Sequence, residues 1–265
     1  MPSYSKIGVS KLLKILLIYV LTNLSWKVQA AEYADSTAKI YHLTAGANVT
    51  NNGISLLPTF TLGKPAAIFD LSVGSEKIAF EPQFRFSLEG KPWSFIFWWR
   101  FKLVNNKKFK LSFGTHPSVA FRNFQVFDAK GVPSSILGHQ QYWANELAPN
   151  YVLSKNVTVG MYYLYSHGLS EGSTNNTHFI TLNSAISNIP IVKNVTLRLN
   201  PQIYFLKMDD RQGFYTTETL TLSHKKLPFF ISSVLNEKLS SDIPGDDFVW
   251  NISLHYLYNI KFRKL

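Results

Sequence analysis

Hydrophobic and polar residues alternate along much of this chain with a period of two, in runs longer than soluble strands usually reach. From Trp93 to Leu103 the odd positions are Trp, Phe, Phe, Trp, Phe and Leu, and the even ones are Ser94, Ile96, Trp98, Arg100 and Lys102. Successive side chains of a strand point to opposite faces, so one face is wholly apolar and the other turns cationic. The same alternation recurs from Ile78 to Leu88, with Glu81, Gln83 and Arg85 on the polar side. It recurs from Val195 to Leu206, with Thr196, Arg198, Asn200 and Gln202, and from Phe248 to Phe262, with Asn251, Ser253, His255 and Asn259. Soluble strands average about 5–6 residues, whereas a tilted strand crossing a bilayer needs about 9–11 plus its rims. Length and pattern together predict an all-β, closed antiparallel transmembrane β-barrel. Its apolar faces meet lipid and its polar faces line an enclosed interior.

Noisier segments of the same kind are expected at 54–62, 65–74, 108–122, 139–154, 156–168, 177–188, 212–225 and 229–238. With the four clear ones they make about twelve strands, and 10 or 14 remain open. Turn residues separate them at Gly63-Lys64-Pro65, Glu89-Gly90-Lys91-Pro92, Asn105-Asn106-Lys107 and Asp209-Asp210-Arg211. Stretches 123–138, 170–176 and 240–247 read as longer loops. Residues 32–53 are not assigned; Lys39 to Ala45 alternates weakly, so an arm and a further strand both stay open.

The first 31 residues read differently. Lys6, Lys11 and Lys14 precede an apolar run from Ile15 to Leu24, and Val28-Gln29-Ala30-Ala31 ends in small residues. That predicts a secretory leader cleaved after Ala30 or Ala31, and a single domain over 32–265. The apolar run is about half the ~20 residues a spanning helix needs. No cysteine is present, which removes disulfides, thiolate chemistry and a lipoprotein anchor.

Composition sharpens the picture. Aromatic residues make up 15% of the chain and charged residues 16%, against about a quarter charged in soluble domains. The net charge of +11 falls to +7 once the four leader lysines are set aside (23 basic against 16 acidic residues). On an exported barrel this balance suits an anionic membrane surface better than nucleic acid, and no nucleic-acid partner is expected. Lys64, Lys91, Lys107, Lys108, Lys225 and Lys226 sit at turn positions where lipid head groups would lie. Trp93, Trp98, Trp99, Trp143 and Trp250 are candidates for interfacial girdles.

The last strand carries Tyr256, Tyr258, Ile260 and Phe262 at alternate positions. It resembles the terminal signal by which outer-membrane barrels are recognised by their assembly machinery, although Arg263-Lys264-Leu265 follow the final aromatic. The block from Phe80 through Trp93, with the aromatic strand after it, resembles uncharacterised outer-membrane β-barrel proteins of Bacteroidota-type bacteria. The resemblance implies an outer-membrane location, with lipid, lipopolysaccharide and the assembly machinery as partners. It implies no catalytic residue and no cofactor.

Candidate chemistry lies on the polar faces. Glu81, Arg85, Arg100, Lys102, Glu146, Arg198, Glu218 and His255 are expected to line the lumen. They would either neutralise one another as a plug, since an unpaired buried charge is costly, or form a narrow charge-lined passage. His167 and Ser170 near a rim are the one Ser–His pair worth weighing for lipid hydrolysis. Three residues apart on a strand, they would point to opposite faces. His178 and His255 have no second ligand at a metal-binding spacing. The five Asn-x-Ser/Thr triplets are discounted as products of an Asn-rich composition. The leading expectation is a non-enzymatic structural or narrow-channel barrel. Alternatives are a lipid- or lipopolysaccharide-modifying enzyme of the outer membrane and a soluble periplasmic ligand-binding β-sandwich.

Overall fold

The computed structural model describes residues 40–127 and 131–263. The expected leader, residues 1–31, and residues 32–39 lie outside them. The described chain forms β1 (Ile40–Thr50), β2 (Ala66–Ser75), β3 (Ile78–Ser87), β4 (Pro92–Asn105), β5 (Phe109–Phe127) and β6 (Pro133–Val152). It continues through β7 (Val157–Gly168), β8 (Asn176–Val192), β9 (Val195–Met208), β10 (Arg211–His224), β11 (Phe229–Ser241) and β12 (Phe248–Arg263). Each strand pairs antiparallel with its neighbour in sequence, and β1 pairs with β12, from Ile40↔Arg263 to Thr50↔Ser253. The sheet therefore closes into a twelve-stranded barrel with no free edge around the ring. A two-sheet sandwich is not what forms.

Alternation dictates which side of the wall each residue takes. The outer face is apolar and open: Phe69 is 49% exposed, Phe214 51% and Ile252 54%. An apolar surface this continuous on a soluble domain would be an aggregation site. Across β3–β5 it becomes an aromatic array, with Phe84–Phe95 at 5.4 Å, Phe86–Phe95 at 5.4 Å and Phe95–Phe121 at 5.1 Å between ring centres. The inner face carries Thr, Ser, Asn, Gln and the ion pairs.

Three parts of the wall depart from the sequence reading. The stretch 54–62 is not a strand; the missing strand is β1, in the region left unassigned, so the count stays at twelve. Pro58 removes a ladder donor, and Leu57 interrupts the otherwise regular alternation of Ile54, Leu56, Pro58, Phe60 and Leu62. The segment instead folds into the barrel mouth, with one 3-10 turn at Pro58–Phe60, and turns Leu56, Leu57 and Phe60 inward. Second, 123–138 is mostly not loop. β5 beyond Ala120 and β6 before Tyr142 pair only with each other and rise above the wall as a ribbon. Third, Trp93 is not on the lipid face. The register slips between Arg85↔Ser94 and Phe86↔Pro92; the extra residue is Trp93, and the bulge turns its ring inward.

The best-buried part of the molecule lies inside the ring, under that mouth. Tyr204, Leu206, Met208, Tyr215 and Phe179 meet Leu56, Leu57 and Phe60 there, together with Ile243 from the segment between β11 and β12. Tyr204 and Tyr215 stack at 4.9 Å. The Tyr204 hydroxyl reaches both the Leu56 carbonyl, at 3.1 Å, and Asn236 Oδ1, at 2.8 Å. Trp93 Nε1 donates to the Phe60 carbonyl at 2.9 Å. The Phe60 ring lies edge-on to Tyr142 at 5.1 Å and under the Arg122 guanidinium at 4.7 Å. At the base of the loop, Gly53 N–H bonds to the Lys64 carbonyl and Leu62 N–H to the Gly53 carbonyl, both at 2.8 Å. The β1–β2 segment is thus an inward-folded plug at the end of the barrel opposite Ile40 and Arg263.

A candidate site in the barrel lumen

Below the plug, β2, β3, β4 and β6 each contribute a charged side chain to one belt on the inner wall. Register brings them together. Arg100 on β4 lies directly across from Gly114 on β5, and Gly114 directly across from Glu146 on β6. With no side chain at Gly114, Glu146 reaches past it. Arg100 Nε donates to Glu146 Oε1 at 2.7 Å, and Nη2 reaches Oε2 at 3.4 Å. Arg100 Nη1 pairs with the Glu81 carboxylate on β3, and the guanidinium stacks 4.4 Å over the Trp98 ring. Tyr162 Oη donates to Glu146 Oε2 at 2.8 Å. Ser72 Oγ donates to Glu81 Oε1 at 3.0 Å, and His42 Nε2 lies 3.1 Å from that hydroxyl. A second arm adjoins the first: Gln83 donates its amide to Asp70 and accepts from Arg85 Nε at 2.6 Å, while Arg85 lies 5.0 Å over Trp93.

Arg100 is ion-paired with Glu81 and Glu146, as burial in a confined space requires, and Asp70 and Arg85 are joined through the neutral amide of Gln83. Three carboxylates (Asp70, Glu81, Glu146) face two guanidiniums (Arg85, Arg100), so the belt is nearly balanced. The opposite wall is neutral, built from Thr181, Gln202, Thr217, Asn236 and Ser253. His255 belongs to it, 2.8 Å from Ser232 Oγ and stacked on Phe230 at 4.3 Å.

The belt partitions the space without filling it. A cavity of about 560 Å³ lies between the belt and the plug. Another of about 360 Å³ lies on the far side, lined by Thr44, Asn48, Asp70, Glu81 and His255. Arg85, Trp98 and Arg100 line both. Outside the plug is a third, of about 260 Å³, bordered by Lys64, Lys91 and Arg122. Ser94 Oγ and His116 Nδ1 are buried with no partner among the described residues, and both residues line the 560 Å³ chamber. Such atoms are normally satisfied by ordered water or a ligand.

Of the residues expected in the lumen, Glu81, Arg85, Arg100 and Glu146 converge on the belt. Lys102 and Arg198 share its inward parity, both exposed and nearer the end of the barrel that holds Ile40 and Arg263. Glu218 is a correction. It pairs with Pro201 and Leu235 on the outward face of β10, between Thr216 and Leu220, because the inward residues there are Thr217 and Thr219. Trp98, a candidate girdle residue, also lies inside. His167 faces outward, and the Ser170 hydroxyl accepts the Gln141 N–H at 2.6 Å; no hydrogen bond joins the two among the described residues. The sequence reading places Gln83 on the polar face with Glu81 and Arg85, and does not single out Asp70, Ser72, His116 or Tyr162. For Asp70 and Ser72 the signal was present, in the alternation of Phe69, Leu71 and Val73 around them.

Gly114 offers a direct test of the belt. A Cβ there would lie 2.6 Å from Glu146 Oε1 and 2.7 Å from its Cγ, closer than packing allows. Gly114→Ala should destabilise the barrel by about 1–3 kcal/mol, the usual cost of overpacking, read as a lower denaturant midpoint by gel-shift of the folded band. An unchanged midpoint would mean Glu146 is not held where described.

No family model matches this chain, and no curated protein matches it. Among solved structures, it is similar to the KdgM porin described in complex with disordered oligogalacturonate: 8% identity, TM-score 0.49, covering 81% of this chain and 98% of that one. An outer membrane channel from Pseudomonas putida F1 is 11% identical with a TM-score of 0.46, over 88% of this chain and 98% of that one. The NanC porin is 12% identical with a TM-score of 0.45, over 84% and 100%. None of the three lends this chain a residue role or a solute.

Proposed function

We propose that this protein is an integral outer-membrane barrel that passes a small solute through a narrow lumen, restricted at one mouth by the β1–β2 plug and midway by the Arg100 belt. The observation that carries this reading is the unfilled interior: chambers of about 560 and 360 Å³ lie on either side of the belt inside a closed ring. Side chains fill the interior of a barrel of about eight strands, and a wider ring encloses more space; in this twelve-stranded ring the belt and the plug narrow that space and leave it open. The apolar outer face supports a bilayer setting, with phospholipid and lipopolysaccharide around it and export by a cleaved leader. The same proposal takes in a Bacteroidota-type source and delivery by the barrel-assembly machinery.

Reconstitution in a planar bilayer tests it. The expected result is small, discrete conductance steps with weak ion selectivity, since acids and guanidiniums nearly cancel in the belt. Absence of any conductance, in the native protein and in a variant with the plug shortened, would remove the channel reading.

A further inference from the structure

The belt shows different charges to its two sides. Asp70 and Glu81 line the 360 Å³ chamber. No carboxylate among the described residues lines the 560 Å³ chamber between belt and plug, although Arg85 and Arg100 both do. The two guanidiniums differ in what they have left to donate. Arg100 is taken up by Glu81 and Glu146. Arg85 uses only its Nε, on Gln83 Oε1 at 2.6 Å, and Asp70 reaches it only through the Gln83 amide. Among the described residues its Nη1 and Nη2 make no ion pair and no hydrogen bond.

Other unengaged polar atoms share this wall of β3–β5. Ser94 lies directly across from Arg85 in register, and its Oγ has no partner; His116 Nδ1 has none either. The two residues are 7% and 6% exposed, and both line the 560 Å³ chamber. Buried polar atoms left without partners are costly, so a ligand that satisfies them gains what the protein alone forgoes. The remaining lining is largely apolar: Leu57 and Phe60 from the plug, then Tyr142, Leu164 and Phe179 from β6–β8. The amides of that side are already engaged, Asn183 with Thr181 and Asn200 with the Ser184 carbonyl. A cationic, donor-bearing wall thus meets an apolar one in a space within the ~300–1,000 Å³ range of small-molecule sites.

We propose that this chamber binds a small aromatic monocarboxylate, its carboxylate on Arg85 and Ser94 and its ring toward Phe60, Tyr142 and Phe179. A carboxylate presents two oxygens to the two free nitrogens of the guanidinium fork. It carries a single charge, because Arg100 is already shared by two acids and Asp70 and Glu81 stand on the far side of the belt. The body is a ring without a second polar end, because the rest of the lining is rings and leucine and its amides are occupied. Transit of such an acid rests on the channel reading; its binding does not.

Para-fluorobenzoate is the probe, present while the full-length protein refolds into detergent micelles, so that entry past the plug is not limiting. Fluorine NMR should show a saturable bound signal that unlabelled benzoate displaces. Benzyl alcohol, which lacks the charge, acetate, which lacks the ring, and inorganic phosphate should each compete roughly tenfold or more weakly. Arg85→Gln should weaken binding by a similar factor, and Ser94→Ala decides should that variant not fold. Ser118→Trp, which fills the chamber from β5, should abolish the bound signal in a barrel that still migrates as folded. Arg198→Gln, outside the chamber, should leave it unchanged. No bound signal in the native protein, equal binding by the Arg85 or Ser94 variant, or equal competition by benzyl alcohol, acetate or phosphate would overturn the proposal. Conductance is not read here, so a barrel that binds benzoate and passes no current would remove the channel reading alone.

Discussion

Replacing residues 55–62 with a short Gly-Ser link is expected to raise single-channel conductance several-fold and to move the narrowest point from the barrel mouth to the Arg100 belt. The plug keeps the 260 Å³ mouth pocket apart from the 560 Å³ chamber, and removal joins them. The loop is held by the Phe60 ring between Tyr142 and Arg122, its carbonyl on Trp93 Nε1, the Leu56 carbonyl on Tyr204, Thr59 Oγ1 on Met208 Sδ, and the packing of Leu56, Leu57 and Phe60 on the Tyr204 cluster. Its base, closed by Gly53 and Lys64, stays intact in the variant, so the β1–β2 pairing should survive. Leu56, Leu57 and Phe60 are partly buried, so their loss removes less apiece than the ~1.5–3 kcal/mol of a fully buried side chain. The twelve ladders remain, and the barrel should still run as a folded band. Trp93→Phe, which deletes one hydrogen bond and replaces the indole with a smaller aromatic ring, should give intermediate, flickering openings. A folded loop variant conducting no better than the native protein would show that the plug is not the restriction.

The second large effect is predicted for Arg100→Leu, which should lower the unfolding free energy by about 3 kcal/mol, the low end for breaking a buried pair. Glu146 is left with its side chain only 3% exposed and its guanidinium gone, while Glu81 loses its partner as well. The low end applies because Arg100 is itself 36% exposed to the chambers, where water screens part of the loss. Tyr162 still donates to Glu146, which one hydroxyl cannot neutralise. Adding Glu146→Gln to Arg100→Leu should restore much of the loss, because the stranded charge disappears with it. Chemical denaturation in detergent micelles reads both. A double variant no more stable than the single would place the cost in packing on Trp98 instead of in charge.

The strands with large outward side chains were legible from sequence, because Phe, Trp, Leu and Ile at every second position leave little doubt about period: β3, β4, β9 and β12. β1 was faint since its outward positions include Ala45 and Ala47, too small to mark a lipid face. The plug was misread for the opposite reason. Its apolar residues Ile54, Leu56, Phe60 and Leu62 alternate as a strand's do, and only Pro58 and the extra apolar Leu57 signal that the segment packs inward. Glu218 was put on the wrong side because the run Thr216-Thr217-Glu218-Thr219 carries no apolar residue to set the parity. The belt was legible as a set of inward charges and illegible as a set of pairs. Arg100, Gly114 and Glu146 meet only when three strands take one register, and a slip of one residue would send each to the opposite face. Nothing local to any of the three specifies that.

The ring is shut by its first and last strands, Ile40–Thr50 against Phe248–Arg263, more than 200 positions apart in the chain. A partly made polypeptide therefore always exposes two unpaired edges, which are sticky in water and intolerable in hydrocarbon. The ring cannot close before β12 has been synthesised and meets β1. Truncations removing β12 should leave no smaller working cylinder, only material destined for proteolysis.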